Sequence, residues 1–264
     1  MPSKTLHGGV EYEVAKGRAL HGGTGYEIQK GRTLVGGVGY DVGFGLSAVD
    51  MTVGSSVYAD VNGVRTEFLV VHQGLPDATK YDASCDGTWV LMKNIWKKAL
   101  WGEWESDITY VSSYSHNNVN VEFLKLLDSN VLDVIKPVKI PYVNSAWAPH
   151  TVAYGAAGLD AKAFLLSGRE CGLTANTLTD DGACLSYFLN AATDNTIRTA
   201  YLNGTAAQWA SRSNARSQDS VVVFQPTGSG SFLSNTSSYG LRPAFILDSN
   251  TVIDSDTFDI IGAE

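Results

Sequence analysis

The pattern of apolar and polar positions changes character near residue 46. Before it, three units of 14 residues repeat: 5–18 (TLHGGVEYEVAKGR), 19–32 (ALHGGTGYEIQKGR) and 33–46 (TLVGGVGYDVGFGL). Each sets Gly-Gly ahead of a tyrosine (Tyr12, Tyr26, Tyr40) and an aliphatic residue two places on (Val14, Ile28, Val42). Two-residue alternation predicts strands, and the glycines accept the positive φ of tight turns. A single unit is too short to bury an apolar face. The module 1–46 is therefore expected to be β-rich and to stack on itself, on the rest of the chain or on other copies, as a docking or oligomerisation stalk.

Beyond the repeats, residues 56–74 alternate on both sides of Asn62-Gly63, which predicts a hairpin with the turn at that pair. Residues 88–95, 163–167, 221–224 and 243–247 are short apolar runs that read as core strands. Over 119–127 the residues Val119, Phe123, Leu126 and Leu127 share one face, predicting a helix behind capping asparagines. A second short helix is expected over 182–189, with Asp180 and Asp181 at its positive end. Residues 47–264 should then form one α+β domain with short helices and long irregular connections.

Composition narrows the function. Of 264 residues 44% are hydrophobic and 17% charged, enough apolar surface for a packed core. The net charge of −8 argues against nucleic-acid binding, and the Lys97-Lys98 pair does not reverse it. No run approaches the roughly 18 apolar residues of a membrane span, and the first residues lack a basic stretch followed by an apolar one. No membrane insertion is expected, and no export by a signal peptide. Cys85, Cys171 and Cys184 are odd in number and form no CxxC, so buried free thiols are expected rather than disulfides or zinc.

The motifs of catalysis are missing: there is no GxSxG, P-loop, GxGxxG after a strand, or HExxH. His7 and His21 occupy equivalent repeat positions, where the third unit has Val35. His72, His116 and His150 lack partners at metal spacing. Asp180-Asp181-Gly182 lacks the further alternating acids of a calcium loop. The chain is accordingly expected to be a binding protein, not an enzyme, with no cofactor and no metal.

The C-terminal third has a distinct texture. No lysine follows Lys162, and no glutamate lies between Glu170 and Glu264. Residues 209–239 are rich in Ser, Gly and Asn with scattered Arg and aromatic residues, the bias of a protein interface or a paratope. A long solvated loop stretch would share that composition.

Segments 68–74 (FLVVHQG), 81–93 (YDASCDGTWVLMK), Ile140-Pro141-Tyr142 and 164–170 (FLLSGRE), in that order, resemble a Firmicutes domain family of unknown activity common in gut prophages. Its members end in a Trp-Trp-Leu-Arg-Ser-like signature and a Gly-Val-Arg-Pro-Ala-Phe-like strand. Here those stand as 209–213 (WASRS) and 240–245 (GLRPAF). The repeats resemble those preceding the same domain in phage tail-associated proteins. The ending also resembles the Gly-Phe-Arg strand of the C-type-lectin fold in formylglycine-generating-enzyme-like proteins. Variable proteins of diversity-generating retroelements, phage tropism determinants among them, use that fold.

The resemblance implies a C-type-lectin-like domain over 47–264 with a variable-type surface at about 210–239. Ala210 and Ser211 depart from the signature where diversification would act. Ala210, Ser211, Arg216, Gln218, Asp219, Phe224, Phe232, Leu233 and Tyr239 are then expected to face a ligand, with Trp209, Arg212 and Arg242 as scaffold. The implied function is a receptor-binding (tropism) protein of the virion tail, acting non-covalently. It would be homotrimeric, bound to other phage tail proteins, and directed at a bacterial surface protein or glycan. A static tail or fibre component is the main rival. Less favoured are a host-encoded carbohydrate-binding adhesin, which would need export, and a formylglycine-generating-type enzyme using Cys171 and Cys184.

Overall fold

The computed structural model describes residues 45–263 apart from 104–107, 146–149, 176–177 and 215–219, together with the backbone of six strands within 3–42. Those six strands pair as three hairpins, one per repeat. Ser3–His7 runs against Val10–Val14, Arg18–His21 against Thr24–Glu27, and Gly31–Val35 against Val38–Val42. The closing pairs His7↔Val10, His21↔Thr24 and Val35↔Val38 each leave one Gly-Gly between them, so the repeat period is one hairpin.

Ten strands build the body: β1 (Ser56–Val61), β2 (Val64–Gln73), β3 (Thr88–Met92), β4 (Lys97–Leu100), β5 (Ala163–Phe164), β6 (Trp209–Asn214), β7 (Ser220–Phe224), β8 (Gly230–Ser234), β9 (Ser238–Leu241) and β10 (Ala244–Leu247). They form two five-stranded sheets, ordered β5-β10-β3-β2-β1 and β4-β9-β6-β7-β8. The molecule is β-rich α+β, with a few short helices such as Ser129–Val134.

The β1–β2 hairpin turns on Asn62 (φ 54°) and Gly63 (φ 73°), both in the left-handed region that a two-residue primed turn requires. Strands β3 and β10 are apolar at almost every position because both lie inside their sheet with both faces covered, and every residue of each is buried. Trp89, at 0% exposure, meets Tyr81 and Phe164 edge-on at 5.6 Å and donates its Nε1–H to the carbonyls of Cys85 and Gly74.

The chain passes between the sheets four times, from β3 to β4, β4 to β5, β5 to β6 and β9 to β10. Trp96 N–H donates to Leu241 O and Met92 N–H to Pro243 O, so the first and last crossings run side by side.

The helix expected over 119–127 lies further toward the N-terminus and is irregular: an α turn (Tyr114–Asn117), a π turn (Asn118–Phe123) and a 3-10 turn (Leu124–Leu126). Asn120 ties it down, its Oδ1 accepting the backbone N–H groups of Lys162 and Ala163 at 2.8 and 3.2 Å. The helix expected over 182–189 reduces to a 3-10 turn, Ser186–Phe188. Asp180 is exposed and pairs with Lys80 at 2.6 Å, whereas Asp181 is buried, so neither acid opens a helix. Among the described residues no helix is long and apolar enough to cross a membrane.

Candidate ligand surface and its internal staple

Beneath the second sheet lies a buried charge cluster centred on Arg212 of β6. Its guanidinium holds Glu170 through both carboxylate oxygens, at 2.5 and 2.6 Å. Its other N–H groups donate to the carbonyls of Pro141, Leu165 and Asp181 at 3.0–3.1 Å, so all five donors are used. Glu170 is completed by the Tyr81 hydroxyl (2.7 Å) and Ser167 N–H (2.8 Å). Burial works against the Arg212 charge, and Glu170, Asp181 and Tyr81 together outweigh it, leaving the pKa raised. Breaking such a pair strands a buried charge, at a cost of about 3–5 kcal/mol.

Asp181 extends the cluster. Its Oδ2 accepts from Ser213 Oγ at 2.7 Å, and that hydroxyl accepts Gly168 N–H at 2.8 Å. Oδ1 has no hydrogen-bond partner among the described residues. Burial pushes the carboxyl up to about 6, against the opposing pull of Arg212.

The remaining described arginines of this third also turn inward. Arg242 sits at the sheet crossing and donates to Met92 O and Lys93 O, both at 3.0 Å, with its guanidinium 4.7 Å above the Trp209 ring. Burial without a carboxylate beside it lowers its pKa to about 10. Arg198 donates to Gly228 O (2.8 Å) and Cys171 O (3.1 Å), and its own carbonyl accepts Trp209 Nε1–H at 2.8 Å. Arg169 donates to the carbonyls of Thr179, Leu173, Ala175 and Leu178.

This overturns part of the expected binding face. Ala210 and Ser211 are fully buried, because β6 is the middle strand of its sheet and is covered on both faces. Phe224 is also fully buried, stacked on Trp209 at 4.2 Å. Tyr239 is 4% exposed and spends its hydroxyl on Ser234 O at 2.7 Å. These four are interior residues, as are Trp209, Arg212 and Arg242. Arg216, Gln218 and Asp219 lie outside the described residues. Phe232 is 41% exposed, and Leu233 is half-buried against the core.

A different outward surface emerges at one end of the second sheet. The hairpin Tyr201–Leu202/Thr205–Ala206 turns on Asn203 (φ 51°) and Gly204 (φ 79°). Beside it, residues 225–229 close the β7–β8 connection. Gln208 Nε2 donates to Gln225 Oε1 (2.7 Å) and Thr199 Oγ1 to Pro226 O (3.4 Å), joining hairpin and turn. Together they expose Tyr201, Asn203, Thr205, Pro226 and Thr227, all uncharged. From Ser220 to Leu241 the chain carries no charge. The base of this surface is fixed by Arg198 on Gly228, where φ is +79° and an added Cβ would lie 1.8 Å from Asn195 O. Tyr201 went unnoticed in the sequence, although Asn203-Gly204 carries the same turn signal as Asn62-Gly63.

His72, Cys85 and Cys171 are held inside the body, away from this surface. His72 Nδ1 accepts from Ser186 Oγ (2.8 Å) and from Ser186 N–H (3.3 Å), which caps the 3-10 turn, and burial lowers its pKa. Cys85 donates to Lys139 O, and burial raises its thiol to about 12. Cys171 is buried with its pKa raised. Cys184 is exposed, against the expectation for all three thiols, and its pKa is also raised by partial desolvation.

Structure and site thus define a β-rich α+β module with a buried arginine–carboxylate staple and a neutral outer end. The chain belongs to the family described as "Domain of unknown function (DUF6273)", whose model matches residues 86–249. Neither the search of curated proteins nor that of solved structures found a match.

Proposed function

We propose that this chain is a non-covalent recognition module of a phage or prophage tail-associated protein. On this reading residues 47–264 have a C-type-lectin-like frame, residues 1–46 dock it to other tail proteins, and the ligand is a protein or glycan of the bacterial surface. The observation that carries it is the Arg198 bolt. An exposed, uncharged patch with one aromatic anchor, Tyr201, is held at its base by a buried guanidinium that donates to Gly228 O, Cys171 O and Asn195 Oδ1. Preorganisation of that kind lowers the ordering cost of binding. An aromatic among small polar residues suits stacking against a sugar ring or a protein side chain. Commitment of His72, Glu170, Cys85 and Cys171 to the interior supports binding over catalysis.

The test is binding of the purified, fluorescently labelled chain to intact host-species cells. Tyr201→Ala should weaken binding tenfold or more, the scale of a truncated anchor worth about 1.4 kcal/mol or above. Its melting temperature should stay that of the parent, since the side chain is outside the core. Absence of cell binding by the parent, or undiminished binding by Tyr201→Ala, overturns the reading.

A further inference from the structure

The geometry points to a two-fold association of the chain through β8, the strands of two copies pairing antiparallel with Phe232 on the axis. This goes beyond the recognition reading and does not rest on it, because Tyr201 and Thr227 belong to other elements.

The ladder alternation sets which backbone groups face outward. Gly228 N–H donates to Gln225 O and Gln225 N–H to Ser229 O, both at 2.8 Å. Gln225 and Ser229 are therefore a hydrogen-bonded pair, and alternation makes Val223/Ser231 and Val221/Leu233 the next two. Gly230, Phe232 and Ser234 consequently turn their N–H and C=O groups away from β7, and of these the Ser234 C=O already accepts from Tyr239 Oη at 2.7 Å and from Ser237 N–H at 3.4 Å. Among the described residues β8 pairs with β7 alone, so this row forms the edge of the sheet.

Sheet edges are ordinarily blunted by charge, proline or a bulge. Strand β8 (GSFLS) has neither charge nor proline, and its register with β7 runs without a shift. Its outward side chains follow a small–large–small order: Gly230, Phe232, Ser234.

That order is self-complementary. With the axis at Phe232, each Phe232 exchanges both backbone hydrogen bonds with its counterpart. Gly230 of each copy then stands opposite Ser234 of the other. Small residues meet at both flanks, where Leu173 packs against Gly230, 2.6 Å from where a Cβ there would lie. Each chain carries a net charge of −8, yet no charge falls between Ser220 and Leu241, so the copies meet where like-charge repulsion is least. The two five-stranded sheets become one of ten strands. An isologous contact closes at two copies, and each dimer presents two Tyr201 surfaces, which raises avidity without a new ligand contact.

Light scattering on the full chain, whose monomer is 28.3 kDa, should give twice that mass. Phe232→Arg should return it to one copy with unchanged circular dichroism and melting temperature. In a Cys184→Ser background, Phe232→Cys should form a disulfide-linked dimer on mild oxidation, because residues opposite each other in a ladder lie within disulfide reach. Ser234→Cys should not, since its neighbour across the axis is Gly230. A monomeric or trimeric parent, a dimer unaffected by Phe232→Arg, or equal cross-linking of both cysteine variants overturns the proposal.

Discussion

Asp181 shows how much a single buried group decides. Its carboxyl is raised from an ordinary 3.8 to about 6 in the folded chain, chiefly by burial. Folding therefore disfavours the charged form, and this group's contribution to stability rises as pH falls from above 6 toward 4. Below both values it is constant. At pH 7.5 the charged form costs roughly 3 kcal/mol at the usual 1.36 kcal/mol per unit. Glu170 works in the same direction and Arg212 against it, while Ser213 holds one oxygen. His72 and His116, lowered by burial, favour folding as pH rises and mask part of the slope. The clean observable is the difference between Asp181→Asn and parent melting temperatures. It should be positive at pH 7.5 and shrink steadily toward pH 4.5; a difference independent of pH would show that Asp181 is already neutral. None of this was legible in the sequence, where Asp180 and Asp181 are equivalent neighbours. Only the contact of Asp181 with Ser213, 32 residues away, separates them. The buried Ser211 and Ser213 were equally opaque, since serine reads as surface until a partner is in place.

At the scale of elements, local signals read well and non-local ones did not. Asn62-Gly63 announced its hairpin, and the 14-residue period proved to be one hairpin per unit. The core runs at 88–92, 221–224 and 244–247 lie in strands because their apolar residues have no other place to go. The face 119–127 was read as helical, but anchoring of Asn120 to β5 accompanies a π turn there that no spacing rule contains. Strand order is invisible locally, so nothing in the sequence marks Ala210 and Ser211 as members of a central strand. Two glycines test the distinction between turn conformation and tertiary fit. Gly204 and Gly228 share φ +79°, but a Cβ at Gly204 would meet nothing within 4 Å, whereas at Gly228 it would meet Asn195 O at 1.8 Å. Gly204→Ala should cost about 1 kcal/mol for the backbone alone. Gly228→Ala should cost at least about 2 kcal/mol more, through displacement of the Arg198 loop. Urea titrations of both variants give the comparison, and equal midpoints would mean that the 225–229 turn does not pack on Asn195.

Across the whole molecule, interior and exterior are divided in a way that bears on whether the C-terminal third is diversified. Trp209, Ala210, Ser211, Arg212, Ser213 and Asn214 are all buried, so variation along β6 would be paid for in stability. Truncating large side chains there should cost about 2–5 kcal/mol, and a stranded Glu170 or Asp181 as much again. That is a large fraction of the 5–15 kcal/mol by which a domain is stable. The outward positions Tyr201, Thr205, Pro226, Thr227, Ser237 and Ser238 can change within about 0.5 kcal/mol. If the tropism reading holds, deep sequencing of the gene's 3′ third across one lysogenic population should find substitutions at these outward codons. Codons 209–214 and those of Phe224 and Tyr239 should be invariant. Phe232 separates the two proposals, since an edge contact between copies should conserve it while its outward neighbours vary. Substitutions spread evenly over β6 and the outer turns would be incompatible with this staple. A uniform sequence throughout would leave a fixed receptor binder or a static tail component, which the Tyr201→Ala cell-binding measurement then tells apart.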